Sequence, residues 1–298
     1  MMDREERRTE TRQGRPDDEH HIGFSDQDIE DIEESSRLRA PVIYEILRRE
    51  GEEEMQRPVT SLWWSGVAAG LSISFSLLTQ AVLQLHLPNA PWRPLLTGFG
   101  YSTGFLLVVL ARQQLFTENT LTAVLPVAGS LTFRNLARLG RLWGIVLAAN
   151  VTGTLVAALF CSFTPVLSTE LREAMLAIAG EMMENRPIEM LLKAISAGYL
   201  IAAMVWLIPS AGSAQFLVIT LLTYIISIAG FAHIVAGSFE AFMLVIAGRL
   251  DAAQMIAGFG LPTFVGNVIG GTVLFALVSY AQVAKEVPDY ALSSADSI

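Results

Sequence analysis

LLVVLARQQLFTENTLTAVL, Leu106 to Leu125, is apolar at both ends and long enough to enter a bilayer, yet its centre holds Arg112, Gln113, Gln114, Thr117, Glu118, Asn119 and Thr120. A bilayer core offers no water to loosened N–H and C=O groups. Backbone that leaves the helix there is therefore buried in protein or faces a water-filled cavity. The segment reads as a membrane helix broken near its middle, with Thr117, Asn119 and Thr120 available to satisfy the freed backbone groups. The fold follows from where the chain places a second such break.

The surroundings support a membrane setting. Of 298 residues, 52% are hydrophobic and only 16% charged. Residues 1–58 hold 10 of the 20 basic and 18 of the 29 acidic groups, so most of the net charge of −9 belongs to one polar end. That charge argues for no nucleic-acid or metal partner, and the single Cys161 excludes an internal disulfide or a Cys-rich metal site. Six runs approach or exceed the roughly 20 apolar residues that span a bilayer: 61–86, 94–128, 141–167, 188–209, 216–248 and 256–283. Basic residues near one set of ends (Arg48, Arg49, Arg57, Arg134, Arg138, Arg141, Lys285) outweigh those in the opposite loops (Arg93, Arg172, Arg186, Lys193, Arg249). This bias puts both termini in the cytoplasm. The opening residues lack the apolar core of a secretory signal, which agrees with a cytoplasmic tail.

The expected domains are a disordered acidic tail over 1–34, an amphipathic helix over 35–58, a six-helix body over 59–284 and a C-terminal tail over 285–298. In the amphipathic segment Leu38, Val42, Ile43, Ile46 and Leu47 share one face. Such a helix either rests on the membrane surface or docks beneath a pore as a gate.

The body repeats. Asn150-Val-Thr-Gly-Thr-Leu-Val156 and Asn267-Val-Ile-Gly-Gly-Thr-Val273 share Asn-Val-x-Gly-x-x-Val at an offset of 117 residues, and the same offset carries Phe116 onto His233. The fifth span is thus interrupted where the second is, around Gly230, Ala232, Ala236, Gly237 and Ser238. Three spans per copy make the copies enter from opposite sides, an inverted repeat whose breaks meet near the midplane. His233 is the histidine at that depth. It is either a buried, backbone-bonded imidazole or a pathway group suited to proton exchange or to holding an anion. Thr117 caps the first break or faces the permeant species. Glu118 is a partner for the second half-helix's N-terminus or a carboxylate at the inner mouth. Arg112 pairs with an acid, snorkels, or adds positive potential.

At these residues the chain resembles the formate/nitrite transporter family, its YfdC-like branch in particular. The resemblance rests on Leu115-Phe116-Thr117-Glu118-Asn119-Thr120, Gly230-Phe231-Ala232-His233 and Pro262-Thr263-Phe264-Val265-Gly266-Asn267-Val268-Ile269-Gly270-Gly271. It implies an all-α membrane protein of six transmembrane helices. The fold is an aquaporin-like inverted repeat with broken second and fifth helices, assembled as a homopentamer with a pore in each protomer. It further implies the bacterial inner membrane as location, no cofactor, and small monovalent weak-acid anions such as formate or nitrite as cargo, usually moved with a proton. Carried over by motif, Thr117 is the loop threonine and His233 the pore histidine. Phe105, Leu115 and Phe116 form an inner constriction, Tyr101, Val205 and Ile226 an outer one, and Arg186 is the vestibule charge. Arg112 and Glu118 are possible pore charges. The sequence departs from the family at Arg112, Gln114, Ala202, Ala232 and Gly237. Ala232 and Gly237 replace the glutamate and asparagine beside the histidine, so His233 is expected to lack orienting partners.

Two other readings compete. A closed, pore-derived sensor would bind a partner through the acidic tail. An intramembrane hydrolase would use His233 as base, but no Gly-x-Ser-x-Gly elbow accompanies it.

Overall fold

In the computed structural model, residues 38–286 are described; the tail expected over 1–34 and nearly all of 285–298 lie outside them. Every regular element among the described residues is helical. α1 (Ala40–Gln56) precedes α2 (Val59–Ile73) and α3 (Phe75–His86), which together make the first span. α4 (Arg93–Leu110), α5 (Phe116–Asn119) and α6 (Val124–Gly129) make the second, and α7 (Phe133–Phe163) the third. α8 (Thr169–Met183) follows, then α9 (Pro187–Ala211), α10 (Gln215–Ile228) and α11 (Ile234–Ile246). The last span, α12 (Ala252–Val283), widens to π-type hydrogen bonding over Met255–Gly260 and Ile269–Ala276. Five stretches are long and apolar enough to cross a membrane, and α11 is a shorter apolar helix. The second and fifth spans are interrupted at 111–115 and 229–233, as the polar residues require.

Local chemistry sets several helix starts. Thr132 Oγ1 accepts from Asn135 N at 3.2 Å to open α7, and Ser168 Oγ accepts from Leu171 N at 3.2 Å to open α8. The third span begins at Phe133, eight residues before the expected 141. Helix α8 was not expected at all: Glu170, Arg172, Glu173, Glu181 and Glu184 make 169–184 read as a polar loop, whereas Ala174, Met175, Leu176 and Ala179 pack its buried face.

Tight packing comes from small residues, since bilayer lipid supplies little hydrophobic drive between helices. At Gly70 a Cβ would strike Asn150 O and the Gly153 backbone, so α2 and α7 touch backbone to backbone. At Gly198 a Cβ would strike Asn267 O, and at Gly270 one would strike Ile195 O, so α9 and α12 make the same contact. The pair α2/α7 is thus repeated as α9/α12. The outer surface is strongly apolar, with Trp64 69%, Leu217 65% and Val278 61% exposed, as suits lipid or neighbouring membrane chains.

α1 packs on protein rather than resting on a membrane alone. Its buried face is Ile43, Tyr44, Leu47, Arg48, Gly51 and Met55, turned from the expected one, since Leu38 and Val42 stay exposed. Tyr44 Oη donates to Leu125 O at 3.4 Å, and a Cβ on Gly51 would strike Thr122 O. Arg48 is 5% exposed and bonds Glu45 at 2.7 Å and also Glu52. That pairing holds the Glu45 carboxyl below its ordinary value of 4.5, and burial pushes the Tyr44 phenol up to about 12.

Candidate functional site

Each break is held by an asparagine from the shared motif. Asn150 Oδ1 accepts from Phe116 N at 2.9 Å, while its Nδ2 donates to Gln114 O and Gly66 O, both at 2.8 Å. Asn267 Oδ1 accepts from Ile234 N at 2.8 Å, while its Nδ2 donates to Ala232 O at 3.0 Å and Ala194 O at 2.8 Å. On each side one amide closes two backbone groups that the interrupted helix leaves open, an N–H and a C=O, and ties them to a carbonyl of a neighbouring helix, Gly66 O of α2 or Ala194 O of α9. The pairing also corrects the register of the repeat. The asparagines lie 117 residues apart, but Phe116 matches Ile234, an offset of 118, so His233 corresponds to Leu115 and not to Phe116. One extra residue between break and motif in the first half accounts for the slip.

The same offset pairs Arg112, at φ +52°, with Gly230, at φ +61°. Both breaks turn through the left-handed region, where glycine is at ease and a side chain is not. Arg112 tolerates it on the exposed rim, and its Nη2 meets Glu50 Oε1 of α1 at 3.1 Å. Of the readings open for Arg112, pairing with an acid is the observed one.

The two breaks meet at Thr117 and His233. Thr117 Oγ1 lies 2.7 Å from His233 Nε2, and both residues are fully buried. His233 Nδ1 accepts from Ala236 N at 3.2 Å, capping α11. That backbone donor decides the tautomer. Nδ1 is the acceptor, so Nε2 carries the hydrogen and donates to Thr117 Oγ1, leaving the threonine hydroxyl hydrogen free for a further acceptor. The expectation that His233 lacks orienting partners is therefore corrected: a backbone N–H and a hydroxyl stand in for the missing glutamate and asparagine.

The other expected residues fall around this pair. Phe105 meets the imidazole edge-on at 5.1 Å between centroids and Tyr101 at 5.2 Å. Leu115 and Ile226 are buried at the two breaks. The Phe116 ring stacks on Phe264 at 5.5 Å and meets Trp143 at 5.8 Å. Val205 is not with Tyr101 on the far side: it lines a cavity of about 490 Å³ on the α1 side, with Gln113 and Ile208. The reason is that α9 enters at Pro187 and ends at Ala211 beside α1's cavity, so position 205 is late in its course. Glu118 caps no helix; it lines the same cavity, and its Oε1 is buried without a hydrogen-bond partner among the described residues. Arg186 is exposed and held by Glu189 at 2.6 Å in the capping box of α9. Sequence reasoning gave Lys193 no site role. Its Nζ bonds Asn185 Oδ1 at 2.6 Å and stands 3.8 Å from where a Cβ on Gly230 would be. Among the described residues no group of three or more His, Cys, Asp or Glu is placed to hold a metal.

A family model described as formate/nitrite transporter matches residues 41–281, nearly the whole described chain. The chain belongs to the formate/nitrite transporter family. It is 45% identical over 259 residues to the inner membrane protein YfdC of Escherichia coli (strain K12), covering 87% of this chain and 84% of that one. It is 26% identical over 245 residues to the formate channel FocA of Haemophilus influenzae, covering 73% and 84% respectively. A solved pentameric formate channel with formate bound shares the fold, with a TM-score of 0.65 at 19% identity over 76% of this chain and 98% of that one. Members of the family are channels and transporters, and the inverted repeat with two broken spans belongs to that architecture.

Proposed function

We propose that the protein conducts small monovalent weak-acid anions of the formate or nitrite kind across a bacterial inner membrane, linked to a proton. The carrying observation is the 2.7 Å pair of Thr117 Oγ1 and His233 Nε2 between the two breaks, bordered by Phe105 and Tyr101. A bare anion meeting apolar rings loses its hydration at a cost of several kcal/mol, whereas the neutral acid does not. The α1-side cavity favours the neutral form too, since Glu50, Glu53, Glu54 and Glu118 line it against Arg112 alone. Between the rings, the Thr117 hydroxyl, its oxygen held by the Nε2–H of His233, offers its hydrogen to the cargo. Phe105 and Leu115 are the walls of the inner constriction, Tyr101 and Ile226 of the outer one, and Phe116 braces the first. Lys193, with Arg186 further out, gathers anions at the mouth opposite α1. The pore-bearing body is 59–284, both termini are cytoplasmic, and five copies assemble as in the solved formate channel.

The tautomer argues against the hydrolase reading. A base activating Thr117 has to accept at Nε2, and here that nitrogen donates. The family relationship gives the sensor reading no support.

The test is flux into proteoliposomes of formate, nitrite, acetate and chloride at several pH values, for wild type, His233→Ala and Thr117→Ala. Weak-acid flux rises as external pH falls, chloride passes poorly, and His233→Ala and Thr117→Ala each lower formate flux. Chloride flux equal to formate flux and indifferent to pH refutes the mechanism.

A further inference from the structure

Glu240 sits in α11, seven residues after His233, and residues seven apart share a helical face about 10 Å from each other along the axis. It is 3% exposed, and its Oε2 is buried with no hydrogen-bond partner among the described residues. The packing gives it no structural task. Phe239 and Met243, on either side of it, join an apolar cluster with Leu77 and Met175. One turn back, the space beside Gly237 is filled by the Phe259 ring and Met182 Sδ. The helices packed against α11 carry Arg134, Arg138, Arg141 and Cys161 (α7), Glu170, Arg172, Glu173 and Glu181 (α8), Glu118 (α5) and His86 (α3), and among the described residues none of them pairs with Glu240. The Tyr101 hydroxyl of α4 is likewise buried without a hydrogen-bond partner among the described residues.

A carboxyl retained for stability at membrane depth is bonded on both oxygens or paired with a cation. This one is neither, which is the mark of a group that gives and takes a proton. His233 is poorly placed for that task, because Nδ1 cannot take a proton without losing the Ala236 cap.

We propose that Glu240 is the proton-carrying group of the passage. This rests on the weak-acid reading above. The neutral Glu240 carboxyl gives its proton to the arriving anion A⁻, leaving a carboxylate and neutral HA. HA then crosses the apolar ring past His233 and Thr117, and the carboxylate recovers one proton from water on the side from which the anion came. The sum is one H⁺ and one A⁻ taken from the same side.

The experiment uses the full chain in proteoliposomes, with formate as cargo and an internal pH dye, for wild type, Glu240→Gln and Glu240→Asp. Glu240→Gln is expected to lower formate-coupled proton uptake on the order of tenfold or more and to flatten its rise with falling pH, with the oligomer's size unchanged. Glu240→Asp keeps coupled uptake with a shifted midpoint. A Glu240→Gln protein with the wild-type pH profile overturns the proposal. So does one with less formate flux but the same profile and the same protons per formate, since that is a structural effect. Should Glu240→Gln not assemble, infrared spectra of the wild type decide. A protonated-carboxyl C=O band that responds to formate and shifts in Glu240→Asp supports the proposal, and its absence overturns it. A wild type that carries no weak acid refutes the proposed function, and the infrared band then judges Glu240 separately.

Discussion

Replacing Asn267 with alanine removes three hydrogen bonds at once: the acceptor for Ile234 N and the donors to Ala232 O and Ala194 O. A net contribution of about 1 kcal/mol per bond puts the loss near 3 kcal/mol. The true cost lies above that if the orphaned groups find no water, because each buried unpaired group costs about 1–3 kcal/mol. Ala232 O and Ile234 N flank His233, so the same change releases the residue that places the imidazole against Thr117. The assay is thermal unfolding of the detergent-solubilised protein, where a loss of about 3 kcal/mol corresponds to a melting shift of roughly 6–12 °C in a chain of this size. Asn150→Ala, the counterpart at the first break, is expected to match it within about 1 kcal/mol, since its three bonds are the same in kind. Thr152→Ala, whose hydroxyl only bonds back to Ala148 O on an exposed face, is the control and stays within about 0.5 kcal/mol. If Asn267→Ala melts like the control, the clamp is not what holds the break, and the account of both asparagines fails.

Arg112→Gly relieves a left-handed side-chain conformation that costs about 1–2 kcal/mol. It also deletes an exposed ion pair with Glu50 worth about 0–1 kcal/mol and admits more freedom in the unfolded chain. Thermal unfolding is expected to show a change between a loss of about 1 kcal/mol and a gain of about 1.6 kcal/mol, and a loss above about 2 kcal/mol would refute the strain argument. The docking of α1 depends on pH through Glu45. Because Arg48 lowers its folded value, its contribution is fully present above the ordinary 4.5 and is lost as pH falls through the lowered value. Hydrogen exchange over 40–56 should therefore quicken on acidification in that window while the α2/α7 pair stays protected; unchanged exchange would remove Glu45 from the account.

Much was legible in the residues alone. The apolar runs gave the spans, because a bilayer demands about 20 such residues. Polar residues inside two of those runs gave the breaks, because nothing else satisfies backbone at that depth. The repeated Asn-Val-x-Gly-x-x-Val gave the inverted halves, and Thr117 and His233 stood out as donors where donors are rare. Helix α8 escaped because its charged face outnumbers the buried one, so composition alone reads as loop.

Other features belong to three-dimensional contact. The motif asparagines were visible as a repeat, but that each closes a break from another helix appears only when α7 lies along α5 and α12 along α11. The one-residue slip that pairs His233 with Leu115 follows from those bonds and not from the motif spacing. Val205 changed sides because direction of travel through the membrane, not sequence distance, sets depth. The tautomer of His233 hangs on one backbone N–H three residues on, which helix geometry supplies and no side-chain motif announces. Sequence fixes which groups a chain carries into the membrane; only packing decides which of them finds a partner and which, like Glu240, is left without one.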